Sequence, residues 1–179
     1  GHAERYSTPL TVLFLDLDKF KAINDSYGHG TGDRVLRDFG AILKESVRTS
    51  DVAARFGGDE FVLMLPDTDL QGAHRTAQRI QDRVLTYAES VGFDFSTTIG
   101  IGQAPEHGHN LNALLDRVDK ALYEAKESGR NRVKRWSLMA TEEAGPDAKA
   151  APAPATTVRD GSRNGALTVG ENTDPALIK

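Results

Sequence analysis

The chain has 179 residues, with 22 Lys and Arg against 26 Asp and Glu, and no cysteine. That length suits one domain of ordinary size, and a hydrophobic content of only 39% predicts that part of the chain lies outside it. Disulfides and thiolate zinc sites are excluded, the net charge of -4 argues against broad nucleic-acid binding, and no apolar run has the length of a membrane span or the form of a secretory signal.

Residues 1–8 read as a starting segment or linker, and the Gly-His opening without an initiator methionine predicts a natural protein that extends further N-terminally. LTVLFLDL (10–17) reads as a buried strand with Asp16 near its C-terminal end. DKFKAINDSYGHG (18–30) predicts a short helix or turn closing on Gly28 and Gly30. DRVLRDFGAILKESVR (33–48) places Val35, Leu36, Phe39, Ile42, Leu43 and Val47 on one helical stripe. DVAARF (51–56) and EFVLMLP (60–66) are strand-like and joined through Gly57-Gly58, a hairpin signal.

The segment 69–90 predicts an amphipathic helix with Ala73, Ala77, Ile80 and Val84 inward. FSTTIGIGQA (95–104) predicts a strand whose glycines mark a bulge or a close backbone approach. Residues 110–129 predict a helix closed by Gly129, and NRVKRW (131–136) a last short strand. From residue 137 the chain turns rich in Ala, Pro, Gly and Thr without periodicity, which reads as a flexible C-terminal tail. Strands alternating with helices, with one hairpin among them, predict an α/β sandwich with a mixed or antiparallel sheet and helices on its faces.

Glycines at the hairpin turn suit backbone at positive φ or in close approach to a ligand. Asp59 and Glu60 follow at once, and Asp16 ends the first strand. If those strands are neighbours, two or three carboxylates meet on one rim, an arrangement that repulsion and desolvation disfavour unless a cation neutralises it. All-oxygen ligands suit magnesium or manganese, with phosphates completing the coordination. Taken singly, each acid also fits a plain structural role: Asp59 and Glu60 as turn decoration, Asp33 as an acid at a helix N-terminus. Asn24 likewise fits a turn, and Lys126 and Arg130 fit cations at a helix C-terminus. His29, His107 and His109 share no metal spacing and read as surface or turn residues, while Phe14, Phe39 and Phe61 read as core.

Gly57-Gly58-Asp59-Glu60-Phe61 spells the signature of the GGDEF family, the diguanylate cyclases. The chain also resembles that family at FLDLDKFKAINDSYGHGTGD, at RTSD before the signature and at ALYEAKESGRNRV, in the same order and spacing. The resemblance covers residues 9–136. It implies a fold like the palm of adenylyl cyclases and polymerases, with a ferredoxin-like core, a central, mostly antiparallel sheet surrounded by helices, and the signature on a β-hairpin.

It further implies that two GTP condense into cyclic di-GMP and two pyrophosphates where two domains face each other as a homodimer. Asp16, the Leu17 carbonyl, Asp59 and Glu60 would hold magnesium or manganese, two ions per site, with Asp59 as base and Glu60 in support. The backbone from Leu17 to Lys21, including Phe20, would cradle the triphosphate, as would Lys126 and Arg130. Gly57 and Gly58 would let the backbone approach the nucleotide. Asn24 and Asp33 would bind guanine, and the aspartate argues against acceptance of ATP. RTSD matches an inhibitory RxxD site, in which Arg48, Asp51 and Arg79 would bind cyclic di-GMP.

The family's LTGLPNR-like stretch is absent here, which implies a missing N-terminal sensory domain, and no EAL-type segment follows. The expected setting is the cytoplasm, as output of a larger sensor. The other reading of the same residues is a catalytically silent module that binds GTP or cyclic di-GMP.

Overall fold

The computed structural model describes residues 8–108 and 110–137; His109, residues 1–7 of the segment read over 1–8, and residues 138–179 of the tail read from 137 lie outside them. Nine elements follow in order: β1 (Leu10–Asp18), α1 (Phe20–Tyr27), α2 (His29–Ser46), β2 (Val52–Arg55), β3 (Glu60–Pro66), α3 (Leu70–Val91), β4 (Ser96–Ala104), α4 (Leu111–Glu127) and β5 (Val133–Arg135). The strands form one sheet in the order β2-β3-β1-β4-β5. Every pairing is antiparallel except β4 with β5, which is parallel, so the sheet is mixed.

The pleat of β1 sorts the chain into two layers, because alternate residues of a strand point to opposite faces. Leu13, Leu15 and Leu17 meet Phe61, Leu63, Leu65, Ile99 and Ile101 on one face, which α2 and α3 cover with Val35, Phe39, Leu43, Ala77, Ile80 and Val84. Phe39 and Phe61 contact edge to face with ring centroids 4.8 Å apart. The opposite face is thinner: Val12 and Val62 pack against Leu114 and Val118 of α4. Each large apolar side chain so buried contributes about 1.5–3 kcal/mol.

Helix boundaries depart from the sequence reading in one place. α1 stops at Tyr27 and α2 begins at His29, so Gly28 alone, at φ 82°, separates them, and Gly30 lies inside the second helix. A single residue at positive φ caps one helix and starts the next, a conformation that favours glycine. α2 has no side-chain cap, which is why its first turn left no signal. Asp69 and Asn110 do cap α3 and α4, accepting from the N–H groups of Gly72 and Ala113.

The glycines of β4 mark a close approach and not a bulge, since its register with β1 runs unbroken from Ser96 to Ala104. A Cβ on Gly100 would lie 2.5 Å from the Val118 carbonyl oxygen and the Leu122 nitrogen, so α4 rests directly on the sheet. Two other expectations need correction. Phe14 is only half buried and stacks on the exposed ring of Phe56, centroids 5.8 Å apart. His107 does lie in the turn after β4 but is buried there and not at the surface, with its Nδ1 accepting from the Gln103 N–H, and burial pushes its pKa down. No helix among the described residues is long and apolar enough to cross a membrane.

Candidate active site

β1 and β3 carry the acids to one end of the sheet. Asp16 and Glu60 are direct antiparallel partners, so both side chains leave the face that α4 covers. The Leu17 N–H donates to the Asp59 carbonyl at 3.1 Å, extending the ladder one residue past Glu60. Burial raises the Asp16 carboxyl above the usual carboxylate range; the Lys126 ammonium pulls it down, and the charges of Asp59 and Asp18 add to the rise. Lys126 Nζ, from the last turn of α4, donates to Asp16 at 2.8 Å. The Lys126 ammonium thus answers Asp16, whose carboxyl also feels the charges of Asp59 and Asp18. Among the described residues, no three or more acidic or histidine side chains converge closely enough to enclose a metal by themselves.

The turn between β2 and β3 closes when Phe56 and Gly57 both donate to the Glu60 carbonyl, at 2.8 and 3.2 Å. Neither Gly57 nor Gly58 adopts a positive φ, which corrects the conformational reason expected for the pair. A Cβ on Gly58 would meet nothing within 4 Å, so its surface is open. Arg55, which the sequence reading missed, fastens this turn: its Nε and Nη2 donate to the carbonyls of Gly57 and Gly58 at 2.8–3.2 Å. In a trans peptide the N–H points opposite to its C=O, so the Gly58 and Asp59 amides face away from Arg55.

Between β1 and α1, Lys19 adopts φ 65° and turns the chain into the helix. Lys21 there is exposed and pairs with Asp25 one turn on, at 3.0 Å. Gly32 then lies against both Phe20 and Asn24. A Cβ on Gly32 would collide with Asn24 Oδ1 and lie 3.2 Å from the Phe20 ring, and Asp33 is the next residue, exposed in the first turns of α2. Arg130 sits in the turn after α4 at φ 60°, also exposed.

Arg48, Asp51 and Arg79 line a separate cavity of about 260 Å³. Arg48 and Asp51 close a turn, the Arg48 N–H donating to the Asp51 carboxylate at 2.7 Å and the Asp51 N–H to the Arg48 carbonyl at 3.0 Å. Arg79 Nη2 reaches back from α3 to the Ser46 carbonyl at 2.7 Å. Arg75, one turn earlier on the same face of α3, lines the cavity too, giving three guanidinium groups to one carboxylate. The i, i+4 spacing of Arg75 and Arg79 was a usable signal for it.

Residues 1–132 match the family model described as "Diguanylate cyclase, GGDEF domain". Diguanylate cyclase DosC of Escherichia coli K12 is 44% identical over 139 residues, which are 76% of this chain and 30% of that protein. Response regulator PleD of Caulobacter vibrioides is 42% identical over 130 residues, 70% of this chain and 29% of that protein. The chain therefore spans under a third of the length of these relatives. Among solved structures, the active GGEEF domain of a diguanylate cyclase from Vibrio cholerae matches with TM-score 0.67 and 30% identity, over 73% of this chain and 85% of that one. The GGDEF domain of DgcB from Caulobacter crescentus, in complex with c-di-GMP, matches with TM-score 0.64 and 30% identity, over 72% and 78%.

Proposed function

The chain belongs to the GGDEF domain family of diguanylate cyclases, and on that premise we propose that it condenses two GTP into cyclic di-GMP, releasing two pyrophosphates. The observation that carries this reading is the pairing of Asp16 with Glu60 across β1 and β3, beside Asp59 and within reach of Lys126. The donor set, all oxygen, fits magnesium or manganese: the side chains of Asp16, Asp59 and Glu60 and the Leu17 carbonyl would hold it. With few protein ligands gathered, substrate phosphates would be needed to complete its shell. Bound there, such an ion would supply a lowered pKa at the attacking 3'-hydroxyl and a counter-charge for phosphate and leaving group.

The chain's own groups do the rest. Asp59 accepts the proton from the 3'-hydroxyl as its oxygen attacks the α-phosphate of the other nucleotide in line. The backbone from Leu17 to Lys21, turned by Lys19, offers N–H groups to the triphosphate, and Lys126 and Arg130 hold it by charge. Asn24 and Asp33 bind the guanine edge, where a carboxylate accepts from N1–H and N2–H₂; adenine presents no such pair of donors. One domain holds one GTP, so two copies face each other with two-fold symmetry, and a sensory domain ahead of this one would govern that pairing.

At the arginine cavity, Arg48, Arg79 and Asp51, with Arg75, bind the product: guanidinium groups pair with guanine O6/N7 and phosphate, and the carboxylate with N1–H and N2–H₂. Binding there inhibits.

The test is cyclic di-GMP formation from GTP and magnesium over a wide range of protein concentration. Specific activity rising steeply with concentration supports the paired enzyme. No product at any concentration, with GTP still bound, leaves a binding module.

A further inference from the structure

Asp18 is the last residue of β1, two past Asp16 and on the same sheet face, and the residue is 3% exposed. Burying a carboxylate is unfavourable by several kcal/mol unless its oxygens are satisfied, and no ion pair with Asp18 occurs among the described residues. Instead it gathers neutral donors. Ser96 Oγ donates at 2.7 Å, Thr98 Oγ1 at 2.8 Å, and the backbone N–H of Asn131 at 3.2 Å. The Asn131 N–H also reaches Thr98 Oγ1 at 3.0 Å.

Asn131 lies in a demanding stretch. Gly129, Arg130 and Asn131 have φ of 116°, 60° and 44°, three left-handed residues in succession, two of them with side chains. Each non-glycine residue in that region costs about 1 kcal/mol or more and persists only where its surroundings fix it. The fixing contacts are Asp18 and Thr98 on Asn131, with the Arg130 N–H donating to the Ala125 carbonyl and the Ile99 N–H to the Arg132 carbonyl. This turn contains Arg130 and begins one helical turn after Lys126, whose ammonium meets Asp16.

Resting on the functional reading above, we propose that Asp18 is a positioning residue for nucleotide binding. It locks the α4–β5 turn against the ends of β1 and β4, so that Lys126 and Arg130 stand ready for the triphosphate. A carboxyl suits the place because both of its oxygens can accept from the Ser96, Thr98 and Asn131 donors. Asp18 itself touches no substrate.

The test is a double-mutant cycle read by binding, using 3'-deoxy-GTP with magnesium, which lacks the attacking hydroxyl and cannot turn over. Asp18→Ala should weaken binding at least tenfold, with Asp18→Asn intermediate because it keeps one acceptor oxygen. In the Lys126→Ala, Arg130→Ala background, Asp18→Ala should weaken binding less than twofold further, since its effect passes through those cations. An equal loss in both backgrounds makes Asp18 a staple of the fold and overturns the proposal, as does unchanged affinity of Asp18→Ala. If Asp18→Ala does not fold, the same cycle is run with Asp18→Asn, where equal losses or no loss overturn the proposal in the same way. Failure of the unsubstituted protein to bind 3'-deoxy-GTP overturns the functional reading itself, and this proposal with it.

Discussion

The two faces of the sheet are built to different ends. Under α2 and α3 lies a wide apolar layer in which Phe39, Leu15, Leu63 and Ile99 are fully or almost fully buried. Under α4 the apolar cluster is short, and toward the end of β1 it gives way to Asp16, Asp18 and Glu60. α4 compensates by approaching the backbone itself at Gly100. The thick face supplies stability by area, which frees the thin face to hold carboxylates that contribute little to stability or oppose it.

The sharpest break between the faces comes from Asp59→Ala, which should lower turnover by about 10²–10⁴-fold while leaving the thermal midpoint almost unmoved. Steady-state kinetics and a melting curve on one sample check both halves. On the thick face the converse holds. Phe39→Ala should destabilise by about 3–5 kcal/mol in urea unfolding through lost contact and a cavity.

Gly100→Val tests the thin face's own support: its side chain meets the α4 backbone, which cannot move aside, so a loss of about 1–3 kcal/mol is expected. Gly58→Ala, facing open space, should be near neutral by the same measurement. At the rim of the thick face, Arg48→Ala should raise the cyclic di-GMP concentration for half-inhibition by about tenfold or more, the worth of one charged hydrogen-bonded contact. Inhibition unchanged would remove the arginine cavity from regulation.

Two smaller effects turn on proton equilibria. The Asp16 pKa is raised in the folded protein, so the stability linked to its neutral form is present below pH 3.8 and lost as pH rises through the folded value. Asp16→Asn should therefore abolish turnover yet leave stability at neutral pH equal or slightly higher. On the other face, Tyr87 donates to Asp38 at 2.5 Å, tying α3 to α2, and burial with that bond pushes its pKa from 10.0 up to about 12. Stability linked to the phenol is complete below pH 10.0 and falls as pH rises toward about 12. Tyr87→Phe should flatten that alkaline fall and lose about 1 kcal/mol at neutral pH.

Much of this division could be read from the sequence. The stripe Val35, Leu36, Phe39, Leu43 has the period of a helix and the run from Phe61 to Leu65 is a short apolar stretch of strand length, and an element of each kind covers them, although α2 begins four residues before the stretch read as helix. The carboxylates were visible because an acid at the end of an apolar strand is conspicuous. What escaped depends on partners distant in sequence. Asp18 closes the tripeptide Asp16-Leu17-Asp18, but its burial follows from Ser96 and Thr98 arriving across the sheet. Arg55 looks like any exposed cation until the turn it clips is folded, and His107 becomes interior only through the loop after β4. The start of α2 left no capping residue to read, because a lone glycine serves both helices.

The sheet's margins carry a further consequence. Among the described residues its outermost strands, β2 and β5, are four and three residues long. Margins that short offer few free backbone groups for another chain to add to, a common guard against open-ended stacking. Two copies of this domain therefore gain little by continuing one sheet into the next. The pairing of two copies proposed above would then rest on loops and side chains at the strand ends.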